Sequence, residues 1–116
     1  TKDLWCYLVL LCAFSYFTWH FTNYLFADDL YCYDGDTCYF NDEPLRLLGV
    51  DTPELPTDRG YQARDFVNSW LSRSEEVEIV FSGRRGYYGR HLVDIYIDGQ
   101  NLSETLIERG YGEVYD

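Results

Sequence analysis

Positive charge is what this chain has least of. One lysine, Lys2, and eight arginines stand against twenty acidic residues, for a formal net charge of −11. The surface as a whole repels a polyanion, so a nucleic acid would have to be held by a local basic patch or by a bound metal ion. No Cys-x-x-Cys pair occurs among the four cysteines, Cys6, Cys12, Cys32 and Cys38, which removes the spacing of a zinc or dithiol redox centre. Internal repeats and low-complexity tracts are missing too, so nothing points to a solenoid or a disordered tail. Charge of either sign is absent from Leu4 to Ala27.

What remains is apolar and aromatic. A chain of 116 residues is one small domain with at most one appendage, and 47% apolar and 19% aromatic residues suffice for a core. The twelve tyrosines exceed what such a core needs, which places some of them at interfaces. The uncharged run from Leu4 to Ala27 is long enough to cross a bilayer as a helix, with Trp5 and Tyr7 near one end and Trp19 and Tyr24 near the other. Three readings fit it: a membrane anchor, which the length and flanks favour, a cleavable signal peptide, or a buried helix. Residues 1–27 therefore stand apart from a folded domain over 28–116. The first two readings put that domain on a membrane, through residues 4–27, or outside the cell.

Beyond the run, the pattern is that of a small α+β, mainly β, domain. Strands are expected at Leu30–Tyr33, Thr37–Phe40, Leu45–Val50, Val77–Phe81 and Leu92–Ile97. Asn41-Asp42-Glu43-Pro44 reads as a hairpin loop, Asp51 to Arg59 as an extended loop, and Ser82 to Gly89 as a mobile basic loop. Ala63, Phe66, Val67, Trp70 and Leu71 recur at helical spacing as one apolar stripe. Asn101 with Glu104 opens a second helix, Leu102 to Arg109, which Gly110 ends. Five short strands and two helices suit a small closed barrel of antiparallel runs. Cys32 and Cys38 flank a bend and could pair if their strands do.

Two acidic groups, Asp34/Asp36 and Asp51/Glu54, bracket a short apolar segment holding Arg46. A guanidinium within Leu45-Arg46-Leu47-Leu48 is costly unless it meets an anion. That anion is either a neighbouring aspartate or a bound phosphate, and Arg90 after Tyr88-Gly89 repeats the arrangement. Oxygen donors of this kind select hard cations such as Ca²⁺ or Mg²⁺.

Asp34-Gly-Asp-Thr37, Arg46-Leu-Leu-Gly-Val-Asp-Thr-Pro-Glu54, Tyr88-Gly-Arg90 and Leu106-Ile-Glu-Arg-Gly-Tyr111 together resemble, in order and spacing, the staphylococcal nuclease family. The resemblance implies a five-stranded OB-type barrel with two packed helices and Ca²⁺-dependent hydrolysis of phosphodiesters in DNA or RNA. It makes Asp36 and Asp51 direct Ca²⁺ ligands, adds the Thr52 carbonyl, and places Asp34 behind a water. Glu54 would be the general base, Arg46 and Arg90 the pair that neutralises the phosphate, and Tyr88 a contact to a terminal phosphate. Nucleic acid is then the partner, with no protein partner implied and a monomer expected. A catalytically silent nucleic-acid- or protein-binding barrel tethered to a membrane is the alternative. The chain departs from the family's pattern in three places. Gly86 and Tyr87 stand where an acidic and a basic residue are common; Arg84 and Arg85 either supply that charge to substrate or are solvated loop residues. The loop from Leu55 to Gly60 is short, and the helix that usually follows the last motif is not in this sequence.

Overall fold

The computed structural model describes residues 24–25 and 29–115. The anchor, signal and buried-helix readings of the apolar run thus fall almost wholly outside the described residues, as do Cys6 and Cys12. Within them, no helix is long and apolar enough to cross a membrane. Near the end of the run, Tyr24–Leu25 forms a short strand, β1, paired antiparallel with Val77 and Glu78.

Local chemistry sets most of the remaining elements. Strands β2 (Leu30–Cys32) and β3 (Thr37–Phe40) pair antiparallel across the acid bend, putting Cys32 opposite Cys38, and the two form a disulfide. Asn41 and Asp42 both adopt positive φ, making a two-residue turn that lets β4 (Glu43–Leu47) begin earlier than the expected loop allows. Leu48-Gly49 then breaks the third expected strand, and Val50–Asp51 leaves as a separate strand, β5.

Helix α1 (Asp58–Arg73) starts inside the predicted loop, because the Thr57 hydroxyl caps it by accepting the Gly60 N–H at 3.0 Å. A cap of this kind contributes about 1 kcal/mol. Its stripe enters the core as expected, with Ala63, Val67 and Leu71 buried and Phe66 and Trp70 packed at the margin. Strand β6 (Val77–Arg85) runs on through the segment read as a mobile loop, with an irregular register between Phe81 and Arg85. A short helical turn (Tyr87–Gly89) leads to β7 (His91–Ile97). Asp98-Gly99 returns the chain to β8 (Gln100–Asn101). Helix α2 (Leu102–Glu108) opens on the Asn101 cap and closes with Gly110 N–H on Ile107 O and Tyr111 N–H on Leu106 O. That closure lays Tyr111 on Phe66, the rings stacked at 4.6 Å. Strand β9 (Glu113–Val114) pairs with β5.

The main sheet runs β1-β6-β7-β4-β3-β2, with β8 on β7. Its five longer strands are the five expected. Two features differ from the expected closed antiparallel barrel. β4 and β7 pair in parallel, and among the described residues no ladder joins the two ends of the sheet, which is a half-barrel. Parallel neighbours far apart in sequence leave no local trace, so periodicity could not show this pairing. Leu45, Leu47, Ile79, Val93, Ile95 and Ile97 fill the concave side, closed by Leu102 and Leu106 of α2. Residues between these inward positions point out, and the site lies on that outer face.

Candidate active site

The bend between β2 and β3 is closed by its own side chains. Asp34 Oδ1 accepts the backbone N–H of Asp36 at 3.1 Å and that of Thr37 at 2.7 Å. Gly35 leaves no room at the apex, for a Cβ there would stand 2.7 Å from the Thr52 side chain. The bend is thereby pressed onto the loop after β5. Asp36 completes the join, its Oδ2 accepting the Thr52 N–H at 2.9 Å and its Oδ1 the Thr37 hydroxyl at 3.3 Å.

Arg46 alternates with Leu45 and Leu47 and so emerges on the outer face. Its Nη1 donates to the carbonyls of Leu47 at 2.9 Å and Val50 at 2.8 Å. Its Nη2 stands 3.6 Å from Asp36 Oδ2 and 3.6 Å from Asp51 Oδ1. The Tyr115 ring covers the guanidinium, its centroid 5.4 Å away. The internal ion pair, the plainer of the two fates open to Arg46, is therefore present and is made with two carboxylates. Nothing in that arrangement leaves this buried cation unmatched.

The acids remain in excess around it. Burial first, and then the charge of Asp36, push the Asp34 carboxyl up to about 6, although the two backbone N–H bonds work the other way. Burial and Asp36 likewise raise Asp51, opposed by Arg46. Crowded carboxylates of this kind are relieved by a cation. The donors at hand are all oxygens: the Asp36 and Asp51 carboxylates, the Thr52 carbonyl, and Thr52 Oγ1, buried without a hydrogen-bond partner among the described residues. They fit a hard divalent ion. Among the described residues no three His, Cys, Asp or Glu side chains cluster closely enough to hold an ion alone. A site with two carboxylates keeps positions open for substrate and water.

Glu54 is exposed at the edge of this cluster, and its charge is among those raising Asp51. Its backbone is fixed by the start of α1: Glu54 O accepts the Thr57 N–H at 3.2 Å and the Thr57 hydroxyl at 2.6 Å. Gly60 sits so close beneath that a Cβ would stand 2.5 Å from the same carbonyl. The first turn of α1 therefore sets where Glu54 leaves the chain.

Arg90 reaches the acid bend from the β6–β7 hairpin. Its Nη1 donates to Thr37 Oγ1 at 3.0 Å, its Nε to Tyr87 O at 3.2 Å, and it makes no ion pair among the described residues. Arg85 braces the same turn from the other strand, Nη1 donating to Gly89 O at 3.0 Å. Arg84 and Arg85 are strand residues here, not part of a loose loop, and both are exposed. Tyr88 stands out at φ 63° and 94% exposure, its ring 5.9 Å from the Arg90 guanidinium. The fold thus joins Asp34, Asp36, Asp51, Thr52 and Arg46 by direct contacts and Arg90 through Thr37, with Glu54 at their edge. It leaves Tyr88 and Arg84 on the rim. Two participants went unassigned in the sequence. Thr37 lay within Asp-Gly-Asp-Thr without a task, and nothing in the sequence pairs Tyr115 with Arg46.

An outer-face site of clustered acids and two arginines on a curled β-sheet defines the class of molecule. The profile of the Staphylococcal nuclease homologue family matches residues 44–116, well over half of the chain, which belongs to that family. The chain is 33% identical to an uncharacterised protein of Methanocaldococcus jannaschii, over 84% of its own length and 67% of that protein. It is 33% identical to endonuclease YncB of Bacillus subtilis, over 70% of this chain and 44% of the relative. It is 32% identical to the SPbeta prophage-derived endonuclease YokF of the same organism, over 70% of this chain and 31% of the relative. The chain spans less than half of either Bacillus endonuclease.

Proposed function

We propose that this chain is a Ca²⁺-dependent nuclease domain that hydrolyses phosphodiester bonds of DNA, RNA or both. One observation carries the reading: a single acid bend holds both halves of the chemistry. Asp36 contacts Thr52 and Arg46, and Thr37 beside it receives Arg90. Relatives named as endonucleases support it. Asp36, Asp51 and the Thr52 carbonyl would hold Ca²⁺, with Asp34 behind a water. When bound, such an ion polarises a phosphoryl oxygen. Glu54 takes the proton of the water that attacks phosphorus, and the bond to the leaving oxygen breaks on the far side. Arg90, bound to no carboxylate among the described residues, turns its donors to the phosphate. Arg46, already held among the acids, adds positive charge below it. Arg84, Arg85 and Tyr88 line the rim along which the strand lies. The domain works outside the reducing cytosol, secreted or tethered by the apolar run; the Cys32–Cys38 disulfide supports that placement.

Glu54→Gln tests the reaction. It preserves shape and removes the base, and a general base typically contributes about a hundred- to ten-thousandfold. Turnover of DNA should fall within that range while the melting temperature holds. Unchanged turnover in the purified variant overturns the assignment. The engagement of Arg46 by carbonyls and acids favours the second reading, a silent binding barrel. Calorimetry separates the two: no Ca²⁺ binding in the presence of a nucleotide supports the silent module.

A further inference from the structure

The excess of tyrosine noted in the sequence has an address on this fold. Side chains alternate across a strand, so the burial of Cys32, Cys38 and Leu45 fixes which neighbours face outward. Two cross-strand rows result. The first contains Tyr33, Thr37 and Arg46: Tyr33 N–H donates to Thr37 O at 2.9 Å, and Thr37 pairs with Arg46. The second, two residues along, contains Tyr31, Tyr39 and Pro44. Tyr31 and Tyr39 stack across the strands with centroids 5.5 Å apart and planes 20° from parallel. Tyr31 is 54% exposed and Tyr33 58% exposed. The first row runs on from Arg46 to Leu92 of β7 and receives Arg90 through Thr37. The aromatic and proline row thus lies about 7 Å along the strands from the row of Thr37, which Arg90 contacts.

We propose that Tyr31 and Tyr39, with Tyr33 beside them, form a track on which unpaired bases of a nucleic-acid strand stack next to the bond to be cut. The proposal rests on the nuclease reading of this face and names the substrate form it takes: a single strand or a locally opened one. The occupant follows from charge. With a net charge of −11, the surface gains little from phosphates beyond a few arginines. Stacking on neutral rings is indifferent to that charge and to base identity, and it is unavailable to bases paired inside a duplex. A cross-strand tyrosine pair also steadies a hairpin, so the test must separate folding from binding.

Fluorescence anisotropy with a labelled phosphorothioate octathymidylate in Ca²⁺, and with the corresponding duplex, makes that separation. The variants are Tyr31→Thr/Tyr39→Thr, which keeps strand-forming residues and removes both rings, and Tyr31→Phe/Tyr39→Phe, which keeps the rings. The threonine pair should weaken single-strand binding about tenfold, with duplex binding and the salt dependence unchanged. The phenylalanine pair should bind as the parent does, which a role confined to the hydroxyls would not permit. Thermal denaturation of each variant reports the structural contribution separately. Single-strand binding unchanged in a folded threonine variant overturns the track. So does an equal loss for duplex and single strand. Binding does not require cleavage. A parent protein that binds through the rings but cuts nothing in Ca²⁺ would refute the nuclease reading and leave the track standing.

Discussion

The two sides of the site are built in opposite ways. On the acid side, Asp36, Thr37, Arg46 and Thr52 are buried and bound to one another, and Gly35 is pressed onto Thr52 with no space between. On the basic side, Tyr87 and Tyr88 are 82% and 94% exposed, and the arginines brace a turn that packs on little else. The acid side is set before any ligand arrives, as a cation site must be if it is not to spend binding energy on ordering itself. On the proposed reading, the exposed basic side is the one that meets the nucleic-acid strand. Damage to the first should therefore cost stability and function together, and damage to the second should cost function alone.

Four substitutions probe that difference. Arg90→Ala removes the guanidinium proposed to meet the phosphate and should lower kcat about a hundred- to a thousandfold, with little change in melting temperature. Steady-state kinetics beside a thermal scan would show it, and an unfolded variant would erase the contrast. Asp36→Ala leaves the Thr52 N–H without its acceptor and takes from the buried Arg46 guanidinium one of its two carboxylates. Urea denaturation should register a loss of about 3 kcal/mol, and calorimetry should find Ca²⁺ binding abolished. Native stability in that variant would mean the acid side is not the fixed one. Thr37→Val keeps the shape and removes the hydroxyl that joins the two sides. We expect kcat to fall about tenfold, the worth of one good hydrogen bond in the transition state, with KM nearly unchanged. Arg84→Ala is the smallest: a few-fold rise in KM, larger at low salt, and an unaltered melting temperature. A fall in kcat instead would move Arg84 from the rim to the chemistry.

The sequence displayed what is local. The α1 stripe follows from one period of 3.6 residues, and Asn101, Gly110 and Asp98-Gly99 act where their chemistry says. The extension of β6 through Ser82 to Arg85 was hidden because those residues are exposed on both faces and so show no alternation. β1 was hidden inside an apolar run that reads the same as helix or strand. The disulfide needed the Cys32–Cys38 register, and the parallel β4–β7 pair needed the whole topology. The site divides in the same way. Asp34 to Glu54 stood in one stretch and could be read as a group. The contacts from Arg90 to Thr37, and from Tyr115 to Arg46, cross most of the domain and could not be read.

The central claim is that the acid bend and the two arginines together cut phosphodiesters with a calcium ion. Digestion of single-stranded DNA, plasmid and RNA by the purified protein, in Ca²⁺ and again with a chelator, tests it most directly. The account predicts cleavage in Ca²⁺, none with chelator, and recovery when Ca²⁺ is returned. Cleavage that persists undiminished in the chelator, or no cleavage of any of the three in Ca²⁺, would contradict it.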